Sequence, residues 1–268
     1  MTQISVVIIT RNEEHNIKAC IRSARQLTDD VVVVDCGSDD RTVAMAKEEG
    51  ARTCTIDWLG FGYSRNLGAS EANHDWILAL DADERITPQL ALAIKNTAFD
   101  DKATVYKFNR RNCIGDKQVR FGTLGFERVR RIYHRHQCSW DLTLVHEKII
   151  SSSPLRFVQI RGAIIHYGLK SFEDYRQRAR LYAQMSAEKY FGEGRKAGLF
   201  KRFGSPLFNG IKSYLFQLGF LDGKKGLLAA GTIAYYSWLK YDFLRALYEE
   251  EKITALYPVR PKMESLSN

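Results

Sequence analysis

From Ile4 to Thr10 the chain reads ISVVIIT, nearly all apolar and β-branched, the pattern of a strand buried on both faces. Ile17, Cys20, Ile21 and Ala24 follow at helical spacing, behind Asn12 as a candidate N-cap. VVVVD at 31–35 predicts a second buried strand and CGSDDRT its turn, with Ser38 or Asp39 placed to cap a helix ending near Gly50. ARTCTI at 51–56 predicts a third strand, the segment 64–73 a third helix, and WILALD at 76–81 a fourth strand. The alternation β-α-β-α-β-α-β predicts an α/β fold with a mostly parallel sheet covered by helices on both faces.

From about residue 103 the alternation stops. TVYKFNRRNCIGDKQVRFG reads as a hairpin turning at IGDK, followed by a basic strand, RVRRIYHRH, and a strand-like LVHEKII at 144–150. Beyond 171 the spacing of Phe172, Tyr175, Ala179, Tyr182 and Ser186 is helical, and two further helices are expected near 205–219 and 226–251. The expected organisation is one α/β unit over residues 1–168 and a helical C-terminal region over 169–268.

Charge changes the picture only by class. Forty Lys and Arg against 31 Asp and Glu give 40 − 31 = +9, a balance suited to nucleic acid, a phosphorylated metabolite or a membrane surface. Five scattered cysteines without a C-x-x-C pair suggest neither a disulfide framework nor a zinc knuckle and fit a reducing cytosol. The start, MTQISVVIITRNEE, has no signal-peptide pattern, and no apolar run reaches the roughly 20 residues of a bilayer span. GLLAAGTIAYYSWL at 226–239 is the nearest, and is expected as a buried or interfacial helix.

Chemistry concentrates after the strands. In parallel sheets ligands bind outside the carboxyl ends. Thr10-Arg11-Asn12-Glu13, Asp35 and Asp81-Ala82-Asp83-Glu84 all stand there. One such cluster reads as readily as a solvated turn; three at one edge point to a shared ligand. No G-x-G-x-x-G follows the first strand and no P-loop occurs, so a dinucleotide or P-loop site is not indicated. Asp35 is placed to meet a ribose or base edge, and the D-x-D of Asp81 and Asp83 to offer oxygens to a hard divalent cation carrying a diphosphate. In WLGFGYSRN, Gly60 and Gly62 suggest a mobile loop, with Arg65 in a first helical turn ready for phosphate.

SVVIITRNEEHNI, VVVVDCGSDDRT, FGYSRNLGA and WILALDADE, in this order and spacing, resemble the family 2 glycosyltransferases of GT-A type over roughly residues 3–100. The resemblance implies a Rossmann-like GT-A sheet, a UDP-sugar donor and a divalent metal, Mg2+ or Mn2+. It implies a donor site of Thr10, Arg11, Glu13, Asp35, Arg65, Asp81 and Ala82, with Asp83 the principal metal ligand. RRIY, VHEKI and IIHYGLKSFEDY resemble the narrower group that adds β-linked glucose to heptose in lipopolysaccharide inner core, the β-1,4-glucosyltransferases. That likeness implies Glu147 as general base, His166 as a metal or diphosphate ligand, and an acceptor on a lipid-linked saccharide. Arg131 and His146 are candidates for the acceptor or phosphate, with Arg128, Arg130 and Arg135 as further basic positions on the same segment. Two departures stand out: FGTLGFERVRRIYHRH lacks the tryptophan expected beside its strand, and Cys36 replaces a small polar residue.

His134 and His136, two apart, make a weaker candidate metal pair. Between 196 and 225, Phe203, Phe208 and Phe216 stand among Lys196, Lys201, Arg202, Lys212, Lys224 and Lys225. Such a mixture suits a helix lying on an anionic leaflet, which gives a cytoplasmic protein held peripherally at the inner membrane. Two other classes compete with an inverting transferase. A sugar-1-phosphate nucleotidyltransferase would want a Gly-rich basic loop where this chain has TRNEEHN, and a nucleic-acid binder leaves the acidic clusters without a role, so no nucleic-acid partner is expected.

Overall fold

Both faces of the first strand are covered, as its unbroken apolar run requires. The computed structural model describes residues 3–256 except 116, 126, 144–146 and 170, and only the backbone of 199 and 253–256. β1 (Ile4–Thr10) lies between β2 (Val31–Asp35) and β4 (Trp76–Asp81), parallel to both, and β3 (Arg52–Thr55) extends β2 in parallel. Successive side chains part to opposite faces. Val6 and Ile8 pack with Ile17, Cys20, Ile21 and Ala24 of α1 (Ile17–Arg25) and Ala46 of α2 (Thr42–Glu48). Val7 and Ile9 pack on the other side with Ala69 of α3 (Phe61–Ser70).

The chain continues through β5 (Glu84–Ile86), α4 (Pro88–Lys95), β6 (Thr104–Ile114), β7 (Lys117–Gln118), α5 (Gly122–Gly125), β8 (Glu127–His134), β9 (Ser139–Trp140), β10 (Ile149–Ile150) and β11 (Arg156–Leu169). The main sheet runs β3-β2-β1-β4-β8-β6-β11-β5, with β7 beside β6. It is parallel across the first four strands of this path; β8 is antiparallel to β4 and β6, β11 parallel to β6, and β5 antiparallel to β11. This is the expected α/β sheet with helices on both faces. Its registers bring distant residues to one edge: Thr10 is level with Asp35, Ile9 with Asp81, and His166 with both Asn112 and Glu84.

After β11 come α6 (Phe172–Gly192), α7 (Leu199–Ile211), one π turn at Lys212–Phe216, a 3-10 turn at Gly219–Asp222 and α8 (Lys224–Leu256). α6 and α8 are joined by the Ser186 and Tyr236 hydroxyls at 3.0 Å and by the Phe191 and Tyr248 rings, whose centroids are 4.8 Å apart. The apolar run at 226–239 lies inside α8, and no helix among the described residues is long and apolar enough to cross a membrane.

Several local expectations are corrected. Asn12 is no N-cap: it takes a left-handed conformation (φ 55°), and its Oδ1 accepts from the Asp39 N–H at 3.0 Å, tying the first two strand-end loops together. α2 starts at Thr42, where Asp40 rather than Ser38 or Asp39 accepts the Thr42 N–H at 2.9 Å. Among the described residues of the segment expected as a strand at 144–150, only Ile149–Ile150 is one, paired with Ser139–Trp140 outside the main sheet. The helix expected near 205–219 gives way at Lys212 to the π turn.

Candidate active site

The segment FGYSRNLGA builds one wall. Gly68 lies so close to β1 that an added Cβ would sit 2.3 Å from a Val7 methyl, so only glycine lets α3 approach the sheet this closely. Gly62 is packed rather than mobile, since a Cβ there would lie 1.9 Å from the Asp141 carbonyl oxygen. Asn66 clamps the β9–β10 ribbon: its Nδ2 donates to the Trp140 carbonyl at 2.9 Å and its Oδ1 accepts the Trp140 N–H at 2.8 Å. Between these contacts Arg65 is turned inward and almost wholly buried. Its guanidinium lies 4.5 Å over the Trp140 ring, donates to Asp81 Oδ1 at 2.6 Å, and donates to Glu147.

Arg65 is one of three guanidinium groups in a connected network. Arg131 donates to Asp81 Oδ2 at 2.8 Å and to Glu84 Oε1 at 2.9 Å. Arg110 donates to Glu84 Oε1 at 3.2 Å and to Glu127. Glu84 is completely buried, and its second oxygen accepts the Asp81 N–H at 3.0 Å, which locks the turn between β4 and β5. Burial opposes the charge on Asp81, but Arg131, Arg65 and Arg110 outweigh it and hold the carboxyl well below the usual range. Burial likewise works against the charge on Arg131, and Asp81 and Glu84 more than offset it. Asp81 and Arg131 therefore stay charged, and the network fixes the D-x-D tip.

The second acid of that tip is set differently. Asp83 Oδ2 lies 3.3 Å from His166 Nε2, while Asp83 Oδ1 is buried with no hydrogen-bond partner. An orphaned buried carboxylate oxygen is costly unless something fills its place. The Tyr167 N–H donates to the Asp83 carbonyl at 2.9 Å, and Gly168 leaves the space beside both groups open: a Cβ there would be 2.4 Å from His166 Nε2 and 2.8 Å from Asp83 Oδ2. A carboxylate and an imidazole 3.3 Å apart, with open space beside them, fit a divalent cation. Among the described residues no group of three or more His, Cys, Asp or Glu forms a closed metal cage. His166 is raised above the ordinary histidine value; burial alone would lower it, and Asp83 reverses the sign.

The other predicted residues fall as follows. Thr10 is buried with its hydroxyl unpartnered, level with Asp35 at the same edge. Asp35 is fully buried and closes its own turn, accepting the Gly37 and Ser38 N–H groups at 3.2 and 3.0 Å. Glu13 accepts from Asn16 Nδ2 at 2.8 Å, Arg11 is exposed, and Ala82 is buried. Glu147 stands two residues before β10 and meets Arg65, so the residues expected as base and phosphate contact are brought together. His146 lies outside the described residues.

Four expectations about the basic residues change. Arg65 is in the second turn of α3, not the first, and its charge is already shared between two carboxylates. Arg131 is an internal tie of the site rather than an open acceptor contact. Arg130 lies 4.1 Å over the Phe157 ring, and Arg135 binds the Ala69 and Ala72 carbonyls and Asp75. His134 and His136 both reach that same Asp75, next to Trp76 at the start of β4 and therefore at the other end of the sheet.

Sequence reasoning passed over Arg110, Asn112, Glu127 and Gly168. Arg110 and Asn112 are alternate residues of a strand otherwise readable as a basic hairpin arm. The only local signal was the glycine in HYG, two positions after His166.

A solved structure of S. aureus TarS aligns with 93% of this chain and 55% of its own, at 18% identity and a TM-score of 0.45. A Mycobacterium tuberculosis glucosyl-3-phosphoglycerate synthase solved with Mn2+ and UDP-glucose aligns with 42% of this chain and 44% of its own, at 22% identity and a TM-score of 0.36. An uncharacterized glycosyltransferase of Rickettsia typhi is 28% identical over 259 residues, covering 92% of this chain and 88% of the relative. The lipopolysaccharide core biosynthesis glycosyltransferase LpsC of Rhizobium meliloti is 24% identical over 243 residues, covering 88% and 89%. The family model for glycosyl transferase family 2 matches residues 5–157, a stretch that runs from β1 into β11 and holds Arg65, Asp81, Asp83, Arg131 and Glu147, and so the chain belongs to glycosyl transferase family 2.

Proposed function

We propose that the protein is a metal-dependent, inverting hexosyltransferase that moves glucose from UDP-glucose onto a lipid-linked saccharide such as the heptose of lipopolysaccharide inner core. The observation that carries the reading is Arg65 held between Asp81 of the D-x-D tip and Glu147, which sets the base and the leaving-group contact side by side. The reading assigns Thr10, whose hydroxyl is unpartnered, and Asp35, level with it, to the donor site together with Arg11, Glu13 and Ala82. The relatedness to LpsC supports an acceptor in lipopolysaccharide core.

On this reading Glu147 takes the proton from the acceptor hydroxyl as its oxygen attacks the anomeric carbon. The bond from that carbon to the diphosphate oxygen breaks on the opposite face, so one displacement inverts an α-linked donor to a β product. Arg65 meets the charge developing on the departing diphosphate. A Mg2+ or Mn2+ ion held by Asp83 and His166 would neutralise the same diphosphate.

The reading extends to location. Phe200, Phe203, Leu207, Phe208, Leu215 and Phe216 are exposed along α7 and the π turn, near exposed Lys201 and Lys212, a composition that supports peripheral attachment to an anionic cytoplasmic leaflet. Arg202, expected to share in this, is instead paired with Asp242 at 2.6 Å.

The deciding experiment incubates the protein with UDP-glucose, Mg2+ or Mn2+, and lipopolysaccharide truncated to its inner core. A mass gain of one hexose in β linkage supports the proposal. No transfer from any member of a nucleotide-sugar panel would overturn it.

A further inference from the structure

We propose that Asn112 is the positioning residue that makes His166 a cation ligand, by fixing which ring nitrogen carries the proton. Asn112 and His166 are level on neighbouring strands β6 and β11. The buried Asn112 amide faces three groups. Its Nδ2 donates to the Leu124 carbonyl at 2.7 Å and to Glu127 Oε2 at 2.8 Å, and its Oδ1 lies 2.7 Å from His166 Nδ1. The first two partners can only accept, so both amide hydrogens are committed to them and the amide cannot turn over without setting oxygen against oxygen. The atom left facing the ring is an acceptor, and His166 Nδ1 must supply the hydrogen. In the neutral ring Nε2 is then the nitrogen whose lone pair is available, and it faces Asp83 Oδ2 at 3.3 Å, beside the space that Gly168 keeps open.

The groups that hold the amide are themselves tied down. Glu127 is gripped by Arg110 through both oxygens. The short helix α5, which presents the Leu124 carbonyl, is fastened to the C-terminal region: the Gly122 N–H donates to the Gln217 carbonyl at 2.8 Å and the Thr123 N–H to Ser213 Oγ at 3.1 Å. The orientation of one imidazole thus rests on three elements besides its own strand. Such outer contacts fix the tautomer and ring plane of metal-binding histidines, and losing one costs about 10- to 100-fold in metal affinity.

The inference rests on the reading of His166 as a ligand, and the experiment separates the two. Mn2+ binding in the presence of UDP is followed by electron paramagnetic resonance for the wild type, Asn112→Ala and His166→Ala. Both variants should bind Mn2+ more weakly, Asn112→Ala by about 10- to 100-fold. If His166→Ala binds as the wild type does, the ligand reading fails. If His166→Ala loses binding and a folded Asn112→Ala does not, the role of Asn112 alone fails. A measurement on the wild type needs no variant: nitrogen-15 NMR of the histidines in the Mg2+–UDP complex should show His166 protonated at Nδ1 and bare at Nε2. The opposite tautomer would overturn the proposal.

Discussion

Arg65 donates to the carboxylate of Glu147, a residue 82 positions further along the chain. The same guanidinium holds Asp81, so the tip of β4 and the ribbon that carries Glu147 are joined through one side chain. An ion pair of this kind orients the Glu147 carboxylate before any donor is present. On the proposed reading, an arriving diphosphate competes for Arg65 and frees the base at the moment it is needed.

Replacing Glu147 by glutamine keeps an acceptor for Arg65 while removing the proton acceptor. Transfer should fall roughly a hundredfold or more, with UDP affinity by calorimetry unchanged. Transfer at the wild-type rate would place the base elsewhere.

Arg65→Met should be worse for the fold than for any surface contact. Asp81 would keep Arg131, but Glu147 would lose its partner, and breaking a buried pair from one side costs about 3–5 kcal/mol. Urea unfolding checks this, and a change below 1 kcal/mol would show that the pair is dispensable.

Gly168→Ala tests the open space beside Asp83. The added methyl carbon would meet His166 Nε2 at 2.4 Å, so the ring or the carboxylate must move. The gain in UDP affinity brought by Mn2+ should shrink at least tenfold, while UDP binding in chelator stays as in the wild type.

Asp30 predicts an acid limb of stability far from the chemistry. It accepts from Arg52 at 2.6 Å and from the Asn73 N–H at 2.8 Å. Burial opposes its charge, but Ser5, Asn73 and Arg52 prevail and its carboxyl sits below the ordinary value. A depressed folded value contributes stability that is present above the unfolded value and lost as pH falls through the folded one. Asp30→Asn should therefore cost about 1–3 kcal/mol near neutrality and flatten the fall in thermal midpoint between neutral pH and pH 3. A variant as acid-sensitive as the wild type would refute the assignment.

Vesicle flotation addresses the exposed aromatic face. Binding should appear with anionic lipid at low salt and vanish at high salt, since each basic residue near such a surface contributes about 1 kcal/mol. Changing Lys201 and Lys212 to Glu should abolish it; Arg202 is avoided because its pair with Asp242 is structural. Equal binding to neutral vesicles would rule out the electrostatic part.

What the sequence by itself determined follows from local physics. ISVVIIT, VVVVD and WILALD are unbroken apolar runs because a parallel strand is covered on both faces, and that alone marks three of the first four strands and places Thr10, Asp35 and Asp81 at their carboxyl ends. The glycines of FGYSRNLGA were visible too, but not their reason, since close approach to Val7 or to Asp141 is a property of the neighbour and not of the segment. Only the tertiary structure decided the partners of the charges. Arg65, Arg110 and Arg131 are alike in the sequence to Arg128 and Arg130, which lie on exposed positions of β8. A guanidinium reaches its carboxylate through space, and the registers that set β11 beside β6 and β5 join residues more than fifty positions apart, so Asn112 and His166 met only once the sheet had closed.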